Sequence, residues 1–299
     1  MDRKTLLPFL AMPILLLAVE IGAILLSLPV QAAGIVAFQN PTDVVNPLIF
    51  IAILLAFTAL LLVLIRYHLK RVIDAVIKIS FFLTFCYIFA ALVYAAMGAT
   101  DLATVLVFAL SVVASVVLFK YPEWYVIDTL GILIGAGVAA IFGASLDILP
   151  VVILLALLAL YDAISVYKTK HMITLAEGVI DLKTPILFVI PKRKDYSFIR
   201  DGIGKLGDGG ERAAFIIGMG DMIMPSILVV SANVFLKGWR LAGIINLPAI
   251  GAIIGSVAGL AVLLHFVTSG KPQAGLPPLC GGTILGFLVG WAIMMVMVG

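Results

Sequence analysis

Two aspartates in this chain sit where a carboxylate is expensive to keep. Asp162 follows Tyr161 inside the apolar run 149–167. Asp221 closes the sequence Gly218-Met219-Gly220-Asp221 inside the apolar run 213–236. A charged side chain at the centre of a bilayer costs at least ~2.5–3.5 kcal/mol, so one retained in a membrane segment implies a use. Two close carboxyls in a poor dielectric cannot both ionise, and they share a proton. Such a pair can hydrolyse a peptide bond. The ionised member takes a proton from water as the water attacks the carbonyl carbon, and the protonated member donates to the developing oxyanion. The roles exchange when the intermediate collapses. The residue types alone leave three uses open: peptide hydrolysis, ion- or proton-coupled transport through a transporter or channel, and holding helices together.

The elements that must position these groups are membrane helices. The chain has 299 residues, of which 64% are hydrophobic and only 12% charged. A soluble domain has about a quarter of its residues charged. The apolar runs reach the ~20 residues a helix needs to cross a bilayer, and they lack the alternation of a membrane β-barrel. The pattern predicts an all-α polytopic membrane protein with nine spans: 6–30, 47–65, 72–97, 102–119, 125–145, 149–167, 213–236, 241–268 and 275–298. The first run is too long for the apolar core of a secretory signal, so it reads as an uncleaved span.

Cytoplasmic loops collect Lys and Arg. With the N-terminus inside, 17 of the 19 basic residues face the cytoplasm and only Lys237 and Arg240 face out. The predicted arrangement is N-terminus cytoplasmic, C-terminus outside, in a cell membrane. The excess of positive charge then reflects topology and not nucleic-acid binding. Three regions follow: a six-span N-terminal region (residues 1–167), a cytoplasmic loop (residues 168–212) and a three-span C-terminal region (residues 213–299). By helical rise, Asp162 lies ~9 Å and Asp221 ~13 Å from the inner boundary, which puts both carboxyls at similar depth.

The loop 168–212 contains a short apolar run fenced by Pro185 and Pro191, then Lys192-Arg193-Lys194, then Gly202, Gly204, Gly207, Gly209 and Gly210. The apolar run reads as a membrane-surface strand or an apolar loop. Glu20 lies within the first span and reads as an acid hydrogen-bonded to a neighbouring helix. Cys86 and Cys280 suit no metal or disulfide motif and read as packing residues. His68, His171 and His265 are scattered, and no phosphate loop or nucleophile elbow is present. No metal or cofactor is implied.

Around the aspartates, Gly218 and Gly220 leave room for another backbone to approach. Tyr161 can hydrogen-bond the adjacent carboxyl. The last span opens with Gly275-Leu276-Pro277-Pro278-Leu279, which reads as a helix entry, since proline suits a helix start, or as an irregular segment lining a water-accessible site. Leu276 precedes proline, which predicts extended backbone there.

The ordered set Tyr161-Asp162, Gly218-Met219-Gly220-Asp221 and Pro277-Pro278-Leu279 resembles the presenilin and signal peptide peptidase family, the intramembrane aspartyl proteases of Tyr-Asp, Gly-x-Gly-Asp and Pro-Ala-Leu signature. The resemblance covers the span number, the long loop between spans six and seven, and all three motifs. It implies that Asp162 and Asp221 are the catalytic pair and that Pro277 to Leu279 lies beside them. Met219 fills the variable position of the second motif, and Pro278 stands where the third has alanine. The inferred orientation looks like presenilin, and the compact chain suits a prokaryotic homologue.

The implied partners are transmembrane helical proteins or peptides as substrates, and the lipid bilayer. Association into a homo-oligomer is left open. A substrate helix must open before its peptide bond can be attacked, and its freed backbone groups then need partners. Strand addition supplies them. The expected edges are the backbone at Leu276 and the run 186–190.

Overall fold

The computed structural model describes residues 3–169, 187–193, 195–202, 214–267 and 273–298. His171, Ile186, Lys194, the loop glycines beyond Gly202, and Lys271 lie outside the described residues. The long helices are α1 (Arg3–Ala32), α2 (Asn46–Arg66), α3 (Lys70–Met97), α4 (Asp101–Lys120), α5 (Trp124–Ser145), α6 (Ile148–Ile164), α7 (Met219–Phe235), α8 (Leu247–Val267) and α9 (Leu276–Val298), with one further turn of helix at Phe198–Asp201. Among the described residues, eight helices are long and apolar enough to cross a membrane.

Polar residues set several helix starts. Thr100 accepts the Ala103 amide and begins α4. Asp147 accepts the Ile148 amide and begins α6. Each satisfies an amide that has no partner within its own helix.

The seventh run is not one helix, as the sequence suggested. Residues Ala214–Gly218 form strand β2, and only Met219–Phe235, 17 residues, are helical. The cause is local. Ala214–Gly218 pairs antiparallel with β1 (Leu187–Pro191), from Leu187 opposite Gly218 to Pro191 opposite Ala214. The apolar run of the long loop is thus a strand, and it draws the start of the seventh run into an extended form. The helical rise used to place Asp221 therefore does not apply to residues 214–218.

The short helix α7 is the centre of the bundle. It packs against α1, α5, α6, α8 and α9, and from Pro225 to Asn233 every residue is buried. Gly143 on α5 makes room for it, since an added Cβ would stand 2.5 Å from that of Val230. Two glycine rows bring α8 and α9 together. Gly251, Gly255 and Gly259 face Gly286, Gly282 and Pro278, and a Cβ at any of the three would run into a backbone carbonyl oxygen of α9. Small residues four apart allow this backbone-to-backbone approach. The row ends at the proline pair, so α8 helps fix the start of α9.

Glu20 behaves as expected. It is fully buried, and the Ser256 hydroxyl of α8 donates to its Oε1 at 2.6 Å. Cys280 is buried and Cys86 half-buried, and both are free thiols.

Candidate active site

Asp162 lies in the last turn of α6 and is buried. The helix then loosens into a π-helical turn, Ser165–Thr169. Such turns are uncommon and gather at functional sites. The Leu276 amide donates to Asp162 Oδ2 at 3.0 Å, and the Gly275 amide acts on the same carboxylate. A residue of one helix thereby caps the start of another.

This bond corrects the reading of Leu276. It is the first residue of α9, not an extended segment. A first-turn amide has no helical partner, and Asp162 supplies one. Pro277 and Pro278 have no amide to leave unsatisfied in that turn.

Tyr167, in the π-turn, adds a second tie. Its hydroxyl donates to Gln273 Oε1 at 2.8 Å and accepts from the Ala274 amide at 3.4 Å. Residues 273–276 are therefore strapped to the end of α6 at two points. Neither Tyr167 nor Gln273 carried a sequence signal, because their partner is 106 residues away.

Asp221 is the third residue of α7 and is half-buried. Its carboxylate lies against Gly275. A Cβ there would stand 2.9 Å from Oδ2, 3.0 Å from Cγ and 3.1 Å from Oδ1. Gly275 is thus the hub. Its chain direction presents amides to Asp162, and its bare Cα leaves space for Asp221. The two carboxylates interact electrostatically with each other and with the Cys280 thiol, one turn into α9. Pro225 has no amide to offer the Asp221 carbonyl four residues earlier, which loosens the helix beside this group.

The motif glycines are arranged differently from the expectation. Among the described residues, a Cβ at Gly218 would meet only Asp221 Oδ2 and Cγ, the nearer at 3.3 Å, and one at Gly220 would meet nothing within 4 Å. Beyond the β1 strand paired with Gly218, no backbone within that set stands where a side chain at either glycine would go; that close approach is at Gly275. Gly220 is exposed. Met219 is buried, with its Cε directed at Gly131 of α5. Tyr161 is half-buried on α6, and Leu279 is buried beneath Gly259.

One intramembrane acid escaped the sequence reading. Asp128, early in α5, is buried and accepts the Val189 amide of β1 at 2.8 Å. Its place within an apolar span was the available signal. Just before α5, Glu123 accepts from Ser197 Oγ at 2.7 Å and from the Phe198 amide at 3.0 Å. These bonds hold the segment that follows β1. There, Arg200 pulls the Asp201 carboxyl down to about 2. Burial, with Asp201 nearby, pushes the Tyr196 hydroxyl up to about 12.

The family model for signal-peptide peptidase and presenilin aspartyl proteases matches residues 12–296. The chain belongs to that family. Two solved structures of a presenilin family intramembrane aspartate protease are similar to it. One, in a C222 crystal, is 52% identical, with a TM-score of 0.72, covering 96% of this chain and 100% of that one. The other, in a P2 crystal, is 52% identical with a TM-score of 0.70, covering 96% and 98%. A comparison with curated proteins gives no match. The protease is accordingly a multi-pass membrane enzyme, an aspartic endopeptidase acting within the bilayer on membrane protein substrates. The transporter and channel reading finds no support in these relatives.

Proposed function

We propose that Asp162 and Asp221 are the catalytic pair of this intramembrane protease. One observation carries the reading: both carboxylates converge on the two-residue link Gly275-Leu276, one through the Leu276 amide and the other against the bare Gly275 Cα. One carboxylate takes a proton from water as the water oxygen bonds to the scissile carbonyl carbon. The other gives its proton to the carbonyl oxygen. On collapse the carbon–nitrogen bond breaks, the amine leaves with a proton from the first group, and the second regains its own. Pro277, Pro278 and Leu279 keep the Gly275-Leu276 link in place. Tyr161, Gly218, Met219 and Gly220 frame the pair, and the space beside exposed Gly220, open among the described residues, gives substrate an approach.

The substrate is held in part as a β-strand. Two edges offered by the sequence are occupied: Leu276 gives its amide to Asp162, and Val189 gives its amide to Asp128. Because Val189 bonds outwards, its partner Ile216 also points its backbone groups away from β1. Among the described residues no strand covers that outer edge of β2, and β2 leads directly into Gly218-Met219-Gly220-Asp221. A substrate strand added there runs beside Asp221.

The finer topology completes the proposal: nine spans with α7 counted as the seventh, the N-terminus and the loop 168–212 cytoplasmic, Lys237 and the C-terminus outside, and three regions bounded at 167/168 and 212/213. Asp162→Asn and Asp221→Asn test the chemistry. Asparagine keeps the shape and an acceptor for Leu276 but cannot ionise. Each variant is expected to insert normally and to leave a single-span helical peptide uncut, and normal cleavage by either removes the assignment.

A further inference from the structure

Asp128 is the one buried carboxylate near the site, among the described residues, that the chemistry above does not use. It stands in α5 and spends its bond on a strand. Val189, its partner, is itself buried. Three residues further along the same helix, Gly131 has no side chain, and a Cβ there would meet Phe188 Cε1 at 3.0 Å and Met219 Cε at 2.9 Å. One stretch of α5 therefore touches β1 through its backbone, β1 through its ring, and the Gly-Met-Gly-Asp segment through Met219. Glu123, at the head of the helix, holds the turn after β1 by two more bonds.

We infer that Asp128 is a positioning residue for the substrate: its carboxylate clamps β1 at Val189, β1 carries β2, and the outer edge of β2 sets the register of the substrate strand against Asp221. The inference rests on the protease reading and on strand addition at β2. A two-stranded ribbon by itself is only marginally stable, so its position must come from what it is fastened to. β1 and β2 share five residue pairs and β2 has no linker to α7, so a shift of β1 passes to the substrate edge and to the start of α7. Asp128 touches no reacting atom. It acts through Val189.

The test uses the full-length protease reconstituted in bilayers with a single-span helical peptide. Asp128→Ala removes the acceptor. Val189→Pro removes the donor from the other side while sparing the β1–β2 bonds, because the Val189 amide points away from β2. Proline is tolerated in a strand where its missing amide faces off the ladder. Asp128→Asn keeps the shape and an acceptor for Val189. Losing this hydrogen bond is expected to move the position of the strand by about tenfold in equilibrium. Asp128→Ala and Val189→Pro are each expected to raise KM about tenfold with kcat within about threefold. Both are expected to spread the cleavage sites over neighbouring peptide bonds, read by product mass. Asp128→Asn restores the wild-type sites, and the double variant is no worse than either single, since both remove one bond.

Unchanged KM and products in Asp128→Ala overturn the inference. So does an Asp128→Asn variant as impaired as alanine, or additive losses in the double variant. Where Asp128→Ala does not fold, Val189→Pro and Asp128→Asn decide alone. Failure of the underlying reading looks different: it shows as cleavage surviving in Asp162→Asn or Asp221→Asn, whatever happens at Asp128.

Discussion

Gly275→Ala is the smallest change that should damage the site, and its size follows from the structure. The added methyl would stand 2.9, 3.0 and 3.1 Å from three atoms of the Asp221 carboxylate, where ordinary contact begins at 3.4 Å. Either the carboxylate or the 273–276 segment must move by about half an ångström. The segment is tied to Asp162 through Leu276 and to Tyr167 through Gln273 and Ala274, so a shift on either side disturbs the spacing of the pair. A displacement of 1 Å at a reacting centre costs about a hundredfold, and half of that about tenfold. We expect kcat to fall about tenfold with KM little changed, because the methyl touches a carboxylate and not the strand edge. The overpacking also lowers stability by about 1–3 kcal/mol. Initial rates on a single-span peptide in bilayers, over a range of substrate concentrations, separate kcat from KM. Gly281→Ala is the control, since a Cβ there meets nothing within 4 Å among the described residues. A wild-type kcat in Gly275→Ala refutes the reasoning, as does an equal loss in Gly281→Ala.

Other expectations follow from the same contacts. Leu276→Pro deletes the amide bound to Asp162 and should lower kcat at least tenfold, the effect of losing a hydrogen bond to a charged group; a change confined to KM would instead make Leu276 a substrate contact. Ser256→Ala leaves the buried Glu20 carboxyl without the hydroxyl that donates to it and should lower stability by about 1–3 kcal/mol, seen as a lower Tm with the cleavage pattern unchanged. The rate of cleavage should fall on both sides of a pH optimum, because a proton-sharing pair titrates in two steps; a flat profile argues against the pair. Acid loss of the Arg200–Asp201 contact does not confuse this profile. A carboxyl held down to about 2 contributes its full stability above the ordinary value near 3.9 and loses it progressively as pH falls from there through about 2.

The membrane class and the two aspartates were legible because they depend on composition and on single residues. An acid inside an apolar run stands out without any knowledge of its neighbours. The seventh run was misread because its first five residues look equally apolar as helix or strand. The choice was made by pairing with Leu187–Pro191, some 30 residues away in sequence. Leu276 was misread for a related reason. The rule for a residue before proline is local, whereas its amide is claimed by Asp162, 114 residues distant. Gly275 read only as the opening of the last span, since a glycine ahead of Leu276 and the proline pair carries no further local signal. Its meaning lies in what would collide with a side chain. Asp128 was the avoidable omission, being an acid within a span like the two that were found.

The most direct test of the central claim compares three variants, Asp162→Ala, Asp221→Ala and the double, for cleavage of the same peptide in the same bilayer. Residues that act as one unit are not additive. A shared-proton pair predicts that each single variant falls to the background rate, that the double falls no further, and that all three insert and melt as folded membrane proteins. A single variant that still cuts at a sizeable fraction of the wild-type rate, or a double that drops well below both singles, contradicts the pair.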